Sequence, residues 1–294
     1  MTAALLLAAW AVTVAAVLPR RLAGAAWTRR APVLGVLAWQ ALGVSAVAAV
    51  ALGVRQLVDP APHHHDRLLH LCGLSAPAGT VSRLALAAAL AVVLVPAALF
   101  ARRLAAAARG RARHRTLLDL AGRRDLVPGA LVLEHPAPAV YCLPGRRRRV
   151  VVSRGALDAL TPEQLAAALA HEQGHLTGRH HLAACAAEAF ARSFAPLPLG
   201  RLVEEETRAL LEMAADDRAL RGHSVRALAG AMSVVAAGPA PSAALTAGHH
   251  ALARAGRLAT RQPRPPRALV ALGAAAAALT AGVPPVLACL PHLL

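Results

Sequence analysis

The stretch of sequence best suited to chemistry is His171-Glu172-Gln173-Gly174-His175, which has the pattern H-E-x-x-H. On a helix, two histidines four residues apart share one face, so both imidazoles can bind one tetrahedral zinc ion. Glu172 stands where this motif places a general base, which takes a proton from the attacking water. The pattern therefore predicts one catalytic Zn²⁺ ion and the hydrolysis of peptide bonds.

The residues before the motif predict the helix that it requires. Thr161 can cap a helix, Pro162 suits the first helical position, and Gln164 completes a capping box. Residues 165–170 continue as strong helix formers, so the motif falls inside the predicted helix. The competing interpretation is a pair of surface histidines on an alanine-rich helix that binds no metal.

A catalytic zinc ion keeps a third protein ligand, and two residues compete for that position. Glu212 follows on a second predicted helix, as in zinc peptidases whose third ligand is a glutamate, and Asp216 one turn later would orient a ligand histidine. His181 is the alternative, because residues 171–181 also read H-E-x-x-H-x-x-G-x-x-H, the metzincin pattern, with Gly178 turning the chain. The residues by themselves leave both ligands open.

The composition predicts a membrane protein. Hydrophobic residues make up 57% of the 294 residues and the mean hydropathy is +0.49, which is too apolar for an ordinary soluble domain. The net charge is +17, and all 32 basic residues are arginines. These arginines cluster beside apolar runs, so membrane topology and anionic lipid explain them better than a nucleic-acid ligand does. We therefore expect a lipid bilayer as partner and no specific binding of nucleic acid.

Four apolar runs have the length and composition of membrane spans. They cover about residues 3–18, 33–54 and 84–100 and the stretch from residue 268 onward, and Pro96 predicts a kink in the third. Arginines follow the first run and again follow the third. Because positively charged loops stay in the cytoplasm, we expect a multi-pass cell-membrane protein with its N-terminus and a short C-terminus outside.

The predicted fold class is mainly α, a polytopic membrane protein with an inserted catalytic domain. Residues 1–100 hold three transmembrane helices with short loops. Residues 101–267 form a cytoplasmic zinc-peptidase domain of the α+β zincin (gluzincin) type, and residues 268–294 form the C-terminal transmembrane helix.

Within the catalytic domain the sequence predicts a small sheet and an amphipathic or membrane-surface helix. Short strands are predicted at residues 131–133, 139–142 and 150–152, and an edge strand beside the zinc helix would hold an extended peptide. The apolar residues 182–199 carry Glu188 and Arg192 at a spacing of four, which favours an amphipathic or membrane-surface helix over a full span.

The predicted outer loop holds two further candidate sites. His63-His64-His65 has the composition of a metal-binding cluster, although a solvated loop is the more common role. Cys72 and Cys289 would both lie near the outer face, so a disulfide between them stays open.

The layout resembles the BlaR/MecR-type antibiotic-sensing membrane metallopeptidases and, more distantly, the HtpX-like and CAAX prenyl proteases. Three apolar spans precede the H-E-x-x-H motif, and a final span follows it. Residues 141–145 and 150–153 match upstream of the motif, and residues 179–181 and 212–217 match downstream. The resemblance covers most of the chain.

The resemblance implies that Glu212 is the third zinc ligand and that Asp216 orients a ligand histidine, which leaves His181 as the alternative ligand. It also implies a protein substrate, in this family a partner repressor that is cleaved on signal. The family sensors carry a penicillin-binding domain after the last span, where this sequence ends, so we do not expect antibiotic sensing by that route.

A second function class stays open beside the peptidase. A membrane receptor or scaffold that retains the zinc-binding fold would transmit a signal by binding a partner, without proteolysis. The presence of Glu172 argues against it, because a binding protein has no need of that carboxylate.

Overall fold

The computed structural model describes residues 2–58, 79–123, 127–145, 147–195, 197–237, 254–260 and 265–289. It is a mainly α-helical, polytopic membrane protein, as predicted, with one small mixed sheet. His63-His64-His65 lie outside the described residues. Cys72 also lies outside the described residues, and so does the Cys72–Cys289 disulfide that the sequence left open.

The helices and strands follow one another along the chain with the sheet between the third and fourth long helices. In chain order they are α1 (Thr2–Ala23), α2 (Ala26–Arg30), α3 (Pro32–Val58), α4 (Thr80–Ala121), β1 (Gly122–Arg123), β2 (Leu131–Leu133), β3 (Val140–Leu143), β4 (Arg149–Ser153), α5 (Arg154–Ala159), α6 (Pro162–Thr177), α7 (His180–Ser193), α8 (Pro198–Ala219), α9 (Val225–Ala236), α10 (residues 254–260) and α11 (Arg267–Cys289).

Four helices in the described chain are long and apolar enough to cross a membrane, namely α1, α3, α4 and α11. Helix α3 lies at the centre of this bundle and packs against the other three. Large apolar side chains stay exposed on the outer faces, as on Leu57 of α3, Leu84 of α4 and Leu279 of α11. Contiguous exposed apolar surface of this kind is typical of helices that face lipid.

Helix α4 is much longer than the apolar run that predicted it. It passes Pro96 without ending and continues through the arginine-rich stretch to Ala121. Alanine and arginine are both strong helix formers, which explains the continuation. At 1.5 Å per residue the helix is about 63 Å long, roughly twice the hydrocarbon thickness of a bilayer. Its second half therefore leads out of the membrane into the sheet.

The sheet has the strand order β1-β2-β4-β3. β2 and β4 are parallel, with Leu131 opposite Val151, and β3 and β4 are antiparallel, with Tyr141 also opposite Val151. The three predicted strands are confirmed. β1 was not predicted, because its two residues follow α4 directly and carry no alternating pattern. β3 is an edge strand of this sheet.

Helix α6 begins as the sequence predicts. Thr161 Oγ1 accepts a hydrogen bond from the backbone N–H of Gln164, and Gln164 Oε1 accepts one from the N–H of Thr161. Pro162 follows at the first helical position. This capping box fixes the start of α6, and with it the phase at which the two motif histidines face the rest of the domain.

Helix α7 is amphipathic and is not among the helices long and apolar enough to cross a membrane, which confirms the prediction of an amphipathic helix rather than a full span. Its apolar face, which includes the buried Phe190, is covered by α3, α4 and α8. Glu188 joins three elements through ion pairs. Its partners are Arg103 of α4, Arg192 of α7 and Arg208 of α8.

Helices α7 and α8 share one hydrophobic core with the membrane spans α1 and α3. Trp39 and Leu42 of α3 pack in the same cluster as Leu210, Leu211 and Met213 of α8. A Cβ atom at Gly35 of α3 would lie only 2.8 Å from a methyl carbon of Leu210, so the two helices are in close contact there. Helix α8 is therefore held directly against a span.

Candidate metal centre

Helix α6 presents the two motif histidines to one point. His171 Nε2 and His175 Nε2 lie 3.1 Å apart. Helix α8 crosses α6 closely beside them, since a Cβ atom at Gly174 would lie 3.1 Å from Ala215 Cα and 3.3 Å from its carbonyl oxygen. Ala215 is one helical turn beyond Glu212. The close crossing thus brings the Glu212 carboxylate within reach of both imidazoles.

Glu212 completes the cluster. Its Oε2 atom lies 3.5 Å from His171 Nε2, and its Oε1 atom lies 3.4 Å from His175 Nε2. Within the described ranges, these three residues form the one group of histidine, cysteine and acidic side chains whose ligand atoms are close enough to share a metal ion. The structure therefore brings together the three candidate ligands that the family resemblance implies.

The distances and the donor set fit zinc. Ligand atoms of a tetrahedral zinc ion lie about 3.3 Å from one another, because each is about 2.0–2.1 Å from the metal. The separations of 3.1, 3.4 and 3.5 Å in this cluster agree with that value. Two imidazoles and one carboxylate are also a ligand set that occurs in catalytic zinc sites.

His181, the alternative third ligand, is not part of this cluster. The chain turns at Arg179, which has the left-handed φ of 49°, rather than at Gly178 as the metzincin pattern predicted. This turn starts α7 and directs His180 toward the site, with its Nδ1 atom 3.0 Å from His175 Nδ1. Gly178 serves a different purpose, since any Cβ atom there would collide with the His180 ring.

Asp216 lies behind the cluster, where the sequence placed it. It is fully buried, and its Oδ1 atom lies 3.0 Å from His171 Nδ1. Arg254 of α10 contacts this carboxylate with two nitrogens, Nη2 at 2.7 Å and Nε at 2.9 Å. Its third nitrogen, Nη1, lies 2.9 Å from Glu212 Oε2. One guanidinium thus holds the candidate ligand Glu212 and Asp216 together.

These contacts set the ionisation of the cluster. Burial favours a neutral Glu212, but His171 and Arg254 outweigh it and hold the pKa of the carboxyl at about 2. Burial also disfavours a charged His171, but the hydrogen bonds with Asp216 and Glu212 outweigh it and raise its pKa to about 9. At neutral pH the metal-free cluster therefore holds an ionised glutamate and a protonated His171.

Glu172 points into the same cleft as the ligands, next to the cysteine of β3. Burial raises the pKa of Glu172, while a hydrogen bond from the Cys142 thiol and the positive His171 oppose the rise. Burial and the neighbouring Glu172 raise the pKa of the Cys142 thiol. The thiol therefore stays protonated and donates a hydrogen bond to Glu172. The carboxylate is thus held in place without a permanent positive partner.

The cleft around these residues has a volume of about 920 Å³. Tyr141 and Cys142 of the edge strand β3 form one wall, and α6, α7 and α8 supply the remaining sides. The part of the cleft beside the first half of α8 is lined by Arg201, Glu204 and Arg208. An edge strand beside a cluster that could hold a metal ion can pair with an extended peptide and keep that peptide next to the cluster.

Residues 107–239 match the model of peptidase family M48. The match supports a zinc metallopeptidase function for this part of the chain. It begins inside α4 and ends just after α9, so the matched region includes the sheet, the motif helix and Glu212, and leaves α10 outside. No curated protein and no solved structure matches the chain significantly.

Sequence reasoning missed two groups at this site. Arg254 belongs to no motif and is one of 32 basic residues, so only the folded chain shows that it reaches Glu212 and Asp216. Cys142 was part of a strand pattern, and nothing in that pattern pointed to Glu172. His180 lies in the stretch 179–181 that carries the family resemblance, but its direct contact with His175 depends on the turn at Arg179.

Replacing His180 by alanine is expected to lower zinc affinity about 10- to 100-fold, the usual effect of losing a partner that orients a ligand histidine. His181→Ala is the matched control, because it removes the neighbouring imidazole, which does not contact the cluster. Competition with a chromophoric zinc chelator measures both affinities. Equal affinities for the two variants would contradict an orienting role for His180.

Zinc binding is expected to weaken as the pH falls below about 9. Zinc must displace the proton that His171 carries below its pKa of about 9 in the metal-free protein, and this proton is gone above it. The apparent affinity should therefore fall about tenfold for each pH unit between 9 and 7 from this group alone. Calorimetric titrations in buffers of different ionisation enthalpy count the protons released. Zinc uptake at pH 7 that releases no proton would contradict this assignment.

Proposed function

We propose that the protein is a membrane-embedded, zinc-dependent endopeptidase that hydrolyses peptide bonds of a cytoplasmic or membrane protein. The observation that carries the proposal is the convergence of His171, His175 and Glu212, with Glu172 beside them in one cleft. Zinc held by the first three residues would polarise the scissile carbonyl and make a water molecule more acidic.

The protein's own residues supply the remaining steps. Glu172 accepts a proton from the water that attacks the carbonyl carbon and then delivers it to the leaving amine. Its raised pKa makes it a stronger base than an ordinary exposed glutamate. The Cys142 thiol, which donates to Glu172, keeps the carboxylate turned toward the cleft.

Three neighbours orient the metal-binding groups. His171 Nδ1 lies 3.0 Å from Asp216 Oδ1, and this contact turns Nε2 toward the cluster. The contact between His175 Nδ1 and His180 Nδ1 fixes the second imidazole in the same way. Arg254 is a positioning residue in this account, since it holds Glu212 and Asp216.

The substrate would bind as an extended strand along β3. In the described sheet β3 pairs with β4 on one side, and Tyr141 and Cys142 of β3 border the cleft. Strand addition supplies backbone hydrogen bonds that do not depend on sequence, so side-chain pockets must supply specificity. The charged residues Arg201, Glu204 and Arg208 along α8 are placed to do so.

The packing of α8 favours a substrate near the bilayer. Leu211 and Met213 flank Glu212 and pack in the core that α8 shares with Trp39 and Leu42 of α3. Gln40 of α3 also donates toward the hydroxyl of the buried Thr207, at 3.4 Å. The metal cluster therefore lies beside a span. In line with the resemblance to the antibiotic-sensor peptidases, a cytoplasmic transcriptional repressor is the substrate class that we propose.

We propose that the catalytic domain faces the cytoplasm. Arg257 of α10 donates to the backbone carbonyl of Arg29 and pairs with Asp217 of α8, so the arginine-rich connection between α1 and α3 contacts the catalytic domain. Positively charged connections stay inside, which favours an N-terminus outside. In a chain whose four native cysteines are replaced by serine, a membrane-impermeant thiol reagent should label Arg20→Cys only after permeabilisation, and labelling of this variant in intact cells would contradict the topology.

Cleavage of an unfolded protein by the purified enzyme tests the proposed activity. The zinc-loaded protein in detergent should cleave β-casein, phenanthroline should stop it, and added zinc should restore it. The alternative function, a signalling scaffold that retains the zinc-binding fold, predicts no cleavage of casein or of a co-encoded repressor. It also predicts that binding of that repressor is unchanged by the chelator, and this pair of results would overturn the peptidase.

A further inference from the structure

A second large cavity lies between the membrane spans, away from the metal cluster. It is a groove of about 970 Å³ between α1, α3 and α11, and its walls are mostly leucine, alanine and proline. Leu34, Ala38 and Leu42 form its stripe on α3, and residues from Leu269 to Thr280 form its stripe on α11. The proposed peptidase mechanism uses none of the side chains that line this groove.

The groove has the depth of one membrane leaflet. The α11 stripe from Leu269 to Thr280 is about 16 Å long at 1.5 Å per residue, and the stripe from Arg30 to Leu42 on α2 and α3 has a similar length. The hydrocarbon core of a bilayer is about 30 Å thick, so one leaflet is about 15 Å. The groove therefore runs from one surface of the bilayer to about its middle.

The mouth of the groove is basic and carries an interfacial aromatic residue. Arg21 and Arg30 line it, with the partly exposed Trp27 between them. Among the residues that the structure describes, the exposed Arg21 side chain has no hydrogen-bond or ion-pair partner. Tryptophan collects at the headgroup level of bilayers, and arginine there attracts anionic headgroups.

We propose that this groove binds an anionic glycerophospholipid, with its acyl chains along α3 and α11 and its phosphate at Arg21 and Arg30. The apolar wall of the groove, one leaflet deep, matches the acyl chains of such a lipid. The two guanidinium groups at the mouth match its phosphate. A zwitterionic lipid fits the wall equally well and the mouth less well, because its positive group meets the arginines. The charge of the headgroup is therefore the property that the site recognises.

Lipid in this groove would also support the metal site. Leu42 lines the groove and belongs to the core that contains Leu211 and Met213, on either side of Glu212. Acyl chains packed against this face of α3 fill space behind the helix that carries α8. An anionic lipid should therefore raise the thermal stability of the protein in detergent, whatever its catalytic activity.

Native mass spectrometry of the full chain tests the site with two probes that differ only in headgroup, phosphatidylglycerol and phosphatidylcholine with identical acyl chains. Phosphatidylglycerol should bind more tightly, and Arg21→Gln should lower its affinity about fivefold, the effect of one arginine near an anionic surface. Arg20→Gln is the matched control, because the adjacent residue loses the same charge and does not line the groove.

A groove-filling variant tests the acyl-chain part. Ala276→Phe places a ring in the groove and should reduce binding of both lipids, whereas Ala275→Phe, on the neighbouring exposed position outside the groove, should not. Equal binding of the two lipids together with equal effects of the two arginine variants would overturn the proposal. So would unchanged lipid binding by Ala276→Phe, or a dimer that this variant alone dissociates, since a second copy would then fill the groove.

Discussion

Glu172→Gln is expected to lower kcat by about 10²- to 10⁴-fold while the protein keeps its zinc. The substitution removes the base and preserves the shape of the side chain. It leaves the ligand cluster intact, because that cluster consists of His171, His175 and Glu212. Peptide cleavage and zinc content are measured on the same detergent-purified sample. The result would separate the proton-transfer step from metal binding.

Glu163→Gln is the control for this variant. It makes the same chemical change in the first turn of α6, at an exposed position far along the helix from the cleft. We expect its kcat and zinc content to equal those of the wild type. If Glu172→Gln cleaves the substrate as fast as Glu163→Gln does, then Glu172 is not the base and the proposed mechanism is wrong.

Arg254→Gln is expected to lower zinc affinity about 10- to 100-fold and to destabilise the folded protein. Arg254 makes three contacts of 2.7–2.9 Å with Glu212 and Asp216. Asp216 is fully buried, and a buried carboxylate that loses its partner costs about 3–5 kcal/mol. His171 supplies part of the compensation, so we expect the low end of that range. Zinc competition and thermal unfolding in detergent measure the two effects.

Arg257→Gln is the matched control, since Arg257 lies one turn farther along α10. It pairs with Asp217 and with backbone carbonyls, and it contacts no member of the metal cluster. We expect it to leave zinc affinity within about twofold of the wild-type value. Equal zinc affinities for the Arg254 and Arg257 variants would show that Arg254 does not position Glu212.

The ligand-bearing part of the site was predictable because its signals are local. The capping residues Thr161 and Gln164 fix where α6 begins, and the spacing of His171 and His175 then fixes their common face. The arrival of Glu212 beside them depends on tertiary packing, and a helical stretch with a glutamate was enough to propose it. Residue type and position around the helix therefore predict most of the candidate metal ligands.

The contacts of Arg254 and His180 were not predictable, because neither follows from a sequence pattern. Arg254 reaches Asp216 across 38 positions, and no local pattern distinguishes it from other arginines. The contact of His180 with His175 depends on the left-handed Arg179, a conformation that non-glycine residues seldom adopt. Such contacts are set by the completed fold rather than by the residues next to them.

The long helices show the same division. Hydropathy located all four spans, but it could not show that α4 continues to Ala121, because helix propensity rather than apolarity carries the helix past the membrane. It also predicted an amphipathic or membrane-surface helix in residues 182–199 without showing what covers its apolar face. An apolar helix face looks the same in sequence whether lipid or another helix covers it, and here α3, α4 and α8 cover α7.

Zinc stoichiometry of the purified protein tests the central claim most directly, measured beside Glu212→Ala and His181→Ala. We predict about one zinc ion per chain for the wild type and for His181→Ala, and loss of zinc from Glu212→Ala, because Glu212 and not His181 meets the two motif histidines. If His181→Ala loses the metal and Glu212→Ala keeps it, the ligand set is the metzincin one and the proposed site is contradicted.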